Sequence, residues 1–290
     1  MERALGVGEM LGSSLDAVLR RPFPAVAVAL FDLVGLVVAL LVFGAFGDAA
    51  MLPGGYRLTT FPYAIPEAMP SVADVHNAAT LAFLRDAGIA PALAFLALMV
   101  IVTAYAEGGF IALLMRVYED RADAPVASFV DVFAEGARRH FRAFLVYRLL
   151  LAGLAIFVLF AAPRTPYFTN YALGAFLVEF LVIFAPCIIV KEGSGPVAAI
   201  RGSVRLVADH LGTSLVMLLF LLLATGGASV LLGPLQRAVG EGPGLLAATF
   251  LYAPIGTALA LFVLRVYLSF KPDEPLAEPA PAPSAGAAPA

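Results

Sequence analysis

The sequence predicts an all-α membrane protein with six transmembrane helices and short amphipathic interfacial helices before spans 1, 3 and 5. Hydrophobic residues make up 61% of the chain and charged residues only 13%, and the mean hydropathy is +0.94. A soluble fold cannot shield that much apolar surface from water. The spans are expected to be helical because a bilayer offers no water to satisfy free peptide groups, and barrel-type alternation is absent.

Each of six apolar runs has about 20 residues or more, which is the length needed to cross a hydrocarbon core of about 30 Å. The first run is too long for the core of a signal peptide and has no clear cleavage site, so we interpret it as a retained span. The six runs are approximately Pro22–Phe46, Pro91–Arg116, Phe141–Ala162, Tyr171–Val190, Leu211–Leu232 and Pro243–Phe270.

The distribution of lysine and arginine predicts the orientation, because cytoplasmic segments of membrane proteins are enriched in both. Fourteen of the 18 fall on one side, and only Arg57, Arg85, Arg164 and Arg237 fall on the other. This bias places both termini and the loops near residues 117–140 and 191–210 in the cytoplasm. The dominance of Arg over Lys and the lack of an Asn-x-Ser/Thr sequon suggest a bacterial plasma membrane.

A short amphipathic stretch precedes each odd-numbered span on the basic side of the chain. Such helices can lie among lipid headgroups, so the lipid bilayer is the expected partner of these stretches. The chain reads as three copies of one unit, with divergent triplication and ordinary juxtamembrane helices as open alternatives. The charged faces are formed by Glu9, Asp16 and Arg20; by Asp131, Glu135, Arg138 and Arg142; and by Arg201, Arg205 and Asp209.

The predicted domain organisation is one six-span domain followed by a tail. The domain covers residues 1–271 and includes one long external loop, 47–90, which contains no metal-ligand or nucleophile constellation. The tail, 272–290, is rich in Pro and Ala and is expected to be disordered.

Part of the second half of the chain follows a recognisable order of residues. Ala185-Pro186 is followed by Glu192-Gly193, then by Ala198-Ala199-Ile200 and Ser203. This order resembles a loose superfamily of bacterial six-span membrane proteins that includes YciC-like proteins and the glycerophosphodiester phosphodiesterase membrane domain. There a span ends in Pro, an acidic turn follows, and an Ala-rich helix with a Ser leads into the next span. The resemblance implies a six-span helical domain, and it carries over no metal-binding acids or histidines.

The candidate functional residues are charged side chains inside the apolar runs: Asp32, Glu107, Glu179, Arg148 and Arg265. At a rise of about 1.5 Å per residue, the three acids lie roughly 14–18 Å from the basic ends of their spans. An ionised carboxylate at that depth costs about 2.5–3.5 kcal/mol unless it is paired, protonated or hydrated. Two interpretations remain open, a polar track for a proton or solute and a structural cluster in which the arginines neutralise the acids.

No motif of a known reaction or cofactor site occurs in the chain. The three histidines and the single cysteine, Cys187, form no metal-spaced group. We therefore expect no enzymatic activity, no cofactor, no metal and no nucleic-acid partner. The sequence favours two functions equally: transport or lipid handling through the central polar cluster, and a non-catalytic membrane scaffold or subunit with a membrane-protein partner.

Overall fold

The computed structural model describes residues 6–31, 33, 89–119, 126–161, 174, 177–239 and 241–271. These residues are helical or lie in short turns, with no β-strand among them, so the all-α prediction is confirmed for this part of the chain. Asp32, nearly all of the predicted external loop and the predicted tail lie outside the described residues.

Seven helices have defined bounds, and residues 23–31 and 177–181 are also helical. The helices are α1 (Val7–Arg20), α2 (Ile89–Glu119), α3 (Val126–Ala161), α4 (Ala185–Glu192), α5 (Pro196–Asp209), α6 (Leu211–Val239) and α7 (Glu241–Phe270).

Within the described residues, two helices are long and apolar enough to cross a membrane, and a bent pair provides a third if it forms one span. The two candidate spans are Val100–Val117 on α2 and Ala253–Phe270 on α7. The bent pair consists of α5 and the first half of α6, whose axes differ by 99°. Large apolar side chains such as Leu98, Leu150, Leu219 and Phe250 are exposed on these and neighbouring helices, as expected for a surface that faces lipid.

The three predicted interfacial stretches do not fold alike. The first and third are the separate helices α1 and α5, each of which ends at a break before the next helical run. The second stretch continues without a break into the predicted third span, so that α3 has 36 residues. Neither Pro nor Gly occurs between Ala137 and Ala152, and nothing in that run interrupts the ladder of backbone hydrogen bonds.

Each of these three stretches packs against a helix that includes all or part of a predicted even-numbered span. α1 packs on α7, the first half of α3 on α2, and α5 on α4. Buried side chains from all of these helices join one apolar core, which includes Val18, Phe110, Phe144, Phe184 and Tyr267. Three described charged residues inside the predicted spans, Glu107, Arg148 and Arg265, lie at contacts between these helices.

Candidate functional site

Glu107 on α2 and Arg148 on α3 form a buried ion pair. Arg148 Nε donates to Glu107 Oε2 at 2.7 Å, and the two side chains are 18% and 2% exposed. A charged hydrogen bond of this length is strong, and it satisfies a carboxylate that would otherwise be costly in an apolar bundle. The pair therefore ties the two helices together.

Glu179 lies close enough to Arg148 to interact with it electrostatically. It belongs to the helical run 177–181, which leads towards α4. Its Oε2 atom is buried, and no group in the described part of the chain donates a hydrogen bond to it. Tyr147 also lies close enough to both acids to interact with them electrostatically. The Arg148 guanidinium lies 5.8 Å from the centre of the Tyr147 ring. Two of the predicted acids thus share one arginine.

The other predicted arginine lies in a different contact. Arg265 Nη1 on α7 donates a hydrogen bond to Ser13 Oγ on α1, and Ser13 in turn donates to the Met10 carbonyl at 3.0 Å. The five predicted residues therefore do not gather in one described cluster. Glu107, Arg148 and Glu179 come together, Arg265 binds α1, and Asp32 lies outside the described residues.

The ion pair sits beside a close approach of α2 and α3. A Cβ added to Gly109 would lie 2.6 Å from the Phe133 carbonyl oxygen, and one added to Gly136 would collide with Ala112 Cβ. A Cβ added to Gly108 would meet Gly136, His140 and Phe144 at 3.2–3.4 Å, and Arg148 continues the same four-residue spacing along α3. Only residues without a Cβ permit this separation, which brings Glu107 within reach of Arg148.

His140 is part of this contact as a neutral side chain. It is buried, and its burial, together with the nearby Arg139, lowers its pKa to about 4. The imidazole therefore carries no charge at neutral pH, which suits its packing against Gly108.

Ser203 on α5 forms hydrogen bonds to backbone groups where the helical hydrogen-bond pattern is interrupted before α4. Pro186 has no N–H and its ring obstructs the preceding turn, so the helix is interrupted at residues 182–184. The Ala185 N–H shifts to the Val182 carbonyl at 2.9 Å. That shift frees the Leu181 carbonyl, which accepts from Ser203 Oγ at 2.8 Å, while the Phe184 N–H donates to the same Oγ at 3.0 Å. One fully buried hydroxyl thus satisfies two backbone groups.

Ser203→Ala is expected to lower the free energy of unfolding by about 1–3 kcal/mol, because it leaves a buried N–H and a buried carbonyl without partners. Ser14→Ala is the matched control, since Ser14 is equally buried but donates only to the Met10 carbonyl of its own helix. Chemical denaturation in detergent micelles compares the two variants. Equal losses of stability would show that Ser203 does not hold the break together.

A second polar contact joins α4 to α7 at the predicted cytoplasmic end. Glu192 Oε1 accepts from Tyr267 Oη at 2.8 Å and from Lys271 Nζ at 2.6 Å. Gly193 then ends α4 with a left-handed φ of 62°, a conformation that favours glycine. Ala185-Pro186, Glu192-Gly193 and Ser203, quoted above for the resemblance, thus each have a local structural role.

Sequence reasoning did not identify Ser13, Tyr267 or the role of Glu192 as helix contacts. Ser13 is 252 positions from Arg265, and no sequence pattern connects residues at that separation. The polar face of the first amphipathic stretch was the only available signal for Ser13.

No family model matches this chain, and no similar protein was found among curated proteins or solved structures. The resemblance to the six-span superfamily therefore stays a prediction. Among the described residues, no three His, Cys, Asp or Glu side chains lie together as a metal site would require.

Proposed function

We propose that the chain is a non-catalytic membrane scaffold, a rigid helical bundle that offers its surfaces to a membrane-protein partner. The observation that carries this proposal is the direct, buried contact between Glu107 and Arg148. A transport route needs water at its charged groups, whereas a structural ion pair can be dry, and Glu107 is only 1% exposed.

Other polar contacts between helices support the same interpretation. The Arg265–Ser13 bond joins α7 to α1, and the Glu192–Lys271 ion pair joins α4 to the end of α7. Polar groups used in this way fix how helices pack, because apolar surfaces in lipid have little preference among partners. A bundle held at several such contacts favours a constant shape over a cycle of large rearrangements.

The proposed topology is six spans in a bacterial plasma membrane with both termini cytoplasmic. It rests on the six apolar runs and on the unequal distribution of Lys and Arg. In a Cys187→Ala background, cysteines at Pro70 and Arg237 should react with an impermeant maleimide added outside intact cells, whereas cysteines at Ala134 and Ala280 should not. External labelling at Ala134 would overturn this topology.

Transport along a polar track is the second candidate, and one observation favours it. Glu179 Oε2 is buried without a hydrogen bond from the described residues, beside an arginine that already pairs with Glu107. A proton that moved between the two acids could release Arg148 from one and deliver it to the other.

Proton flux into proteoliposomes separates the two functions. With a pH gradient and a pH-sensitive dye inside, vesicles that contain the purified protein should acidify no faster than protein-free vesicles. A flux that Glu179→Gln abolishes, while the variant keeps its melting temperature, would overturn the scaffold proposal in favour of transport. Glu135→Gln, an exposed acid on α3, is the control for the substitution itself.

A further inference from the structure

The helices α1 and α5 correspond residue by residue. Both have 14 residues, and a shift of 189 positions maps Val7 onto Pro196 and Arg20 onto Asp209. The correspondence continues through the break into the following helix, so that residues 6–31 map onto 195–220. In 21 of these 26 position pairs the two residues agree in being buried, half-buried or exposed, and no buried residue maps onto an exposed one.

Sequence identity alone does not reveal this repeat. Only a few pairs are identical, among them Ser14 with Ser203 and Val18 with Val207, which are buried in both helices. The matching burial pattern means that the two segments occupy equivalent environments. Whatever surrounds the exposed face of one helix is therefore expected to surround the same face of the other.

Each helix presents three faces in the same order. In α1, the buried Ser14 is followed by the exposed apolar Leu15 and the exposed charged Asp16. In α5, Ser203, Val204 and Arg205 repeat that order. Since successive residues are about 100° apart around a helix, the apolar face lies between the bundle and the charged face.

The charged faces match in position although their signs are exchanged. Asp16 and Arg20 form an exposed ion pair on α1, and Arg205 and Asp209 form one at the corresponding positions of α5. Charge is thus kept at these two positions regardless of sign. A face in contact with water requires charged residues but not a particular sign. Docking of the same partner on both helices would instead require the same sign of charge at corresponding positions.

The exposed apolar faces continue into the next helix in both copies. Leu15 on α1 is 43% exposed, and Val26 and Leu30 follow it on the helical run 23–31, at 49% and 53%. Val204 on α5 is 37% exposed, and Leu215 and Leu219 follow it on α6, at 48% and 55%. α6 contains the predicted fifth span, Leu211–Leu232, so the medium expected around its exposed apolar surface is lipid.

From this continuity we infer that α1 and α5 are a matched pair of interfacial anchors, whose apolar faces insert into the boundary between headgroups and acyl chains of one leaflet. The first half of α3 is not a third anchor. Its exposed residues are mainly charged, including Glu135, Arg138 and Arg142. It continues without a break into the predicted third span. An amphipathic helix needs an exposed apolar face and an in-plane direction to lie in the interface.

Single-tryptophan variants test this inference directly, because the chain contains no tryptophan. The pairs Leu15→Trp with Asp16→Trp and Val204→Trp with Arg205→Trp each compare neighbouring faces of one helix. Arg138→Trp reports on α3. Each full-length variant is reconstituted into vesicles that contain phosphatidylcholine brominated near the top of the acyl chains, and acrylamide provides the aqueous quencher.

Tryptophan at Leu15 and Val204 should lose most of its fluorescence to the brominated lipid and little to acrylamide. Tryptophan at Asp16, Arg205 and Arg138 should show the opposite. Equal lipid quenching at Leu15 and Asp16, or at Val204 and Arg205, would overturn the inference, since it would mean either full insertion of the helix or no insertion. Protection of Leu15 and Val204 from both quenchers would also overturn it, because a protein would then cover the face. All the positions are exposed, and an unchanged melting temperature confirms that each variant is folded.

Discussion

Glu107→Gln is expected to lower the free energy of unfolding by about 3–5 kcal/mol, the cost of removing one partner from a buried ion pair. The amide preserves the shape of the side chain but leaves the Arg148 guanidinium without the carboxylate that now lies 2.7 Å from its Nε. Glu179 lies near the same arginine and can take over part of the interaction, which places the expected loss towards the lower end of that range.

Thermal and denaturant unfolding of the purified protein in detergent measures this loss, with Glu135→Gln as the control. Glu135 is exposed on the same helix that carries Arg148, so its neutralisation should change stability by less than about 0.5 kcal/mol. An unchanged or raised stability for Glu107→Gln would contradict the structural role of the pair, and the polar-track function would then gain support.

Gly136→Ala is expected to destabilise the bundle by about 1–3 kcal/mol, the usual cost of overpacking a tight contact. The added Cβ would collide with Ala112 Cβ on α2 and would lie 3.1 Å from the Gly108 carbonyl oxygen. Because neither the Ala112 Cβ nor the Gly108 carbonyl oxygen can rotate away, the helices must move apart, and that movement is expected to stretch the Glu107–Arg148 pair as well.

Gly153→Ala in the same helix is the matched control for Gly136→Ala. Among the described residues, nothing lies within 4 Å of a Cβ added there, so alanine should raise stability by about 0.5–1 kcal/mol through its better helix propensity. Unfolding of both variants under one set of conditions gives two changes of opposite sign. A gain in stability for Gly136→Ala would show that α2 and α3 do not approach as closely as described.

The helical class was predictable because it depends on local composition. Runs such as Val100–Val117 are predominantly apolar over 18 residues, and no tertiary information is needed to recognise them. The continuity of α3 was harder to predict, since amphipathic periodicity identifies a helix but does not show whether it ends before the next apolar run. Pro22 marks such an end after α1, whereas the region around His140 has no comparable signal.

The proximity of Glu107 and Glu179 was predictable, but the arginine contacts were not. Counting residues from the basic ends placed Glu107 and Glu179 at similar depth, and the two lie around Arg148. Arg265, the other arginine inside a predicted span, donates a hydrogen bond to Ser13 on α1, a contact that counting along the chain could not predict. Which arginine meets which acid depends on how the helices pack, and the glycines that decide this packing, Gly109 and Gly136, are 27 positions apart in sequence.

A double-mutant cycle between Glu107 and Arg148 tests most directly whether the buried charges tie the helices together. The cycle compares the unfolding free energies of the parent protein, Glu107→Gln, Arg148→Met and the double variant in the same detergent. If the two side chains form a structural pair, the double variant should lose less stability than the two single losses combined, with a coupling energy of about 1–3 kcal/mol. Losses that add to within about 0.5 kcal/mol would mean that the two residues do not interact, and the scaffold account would fail.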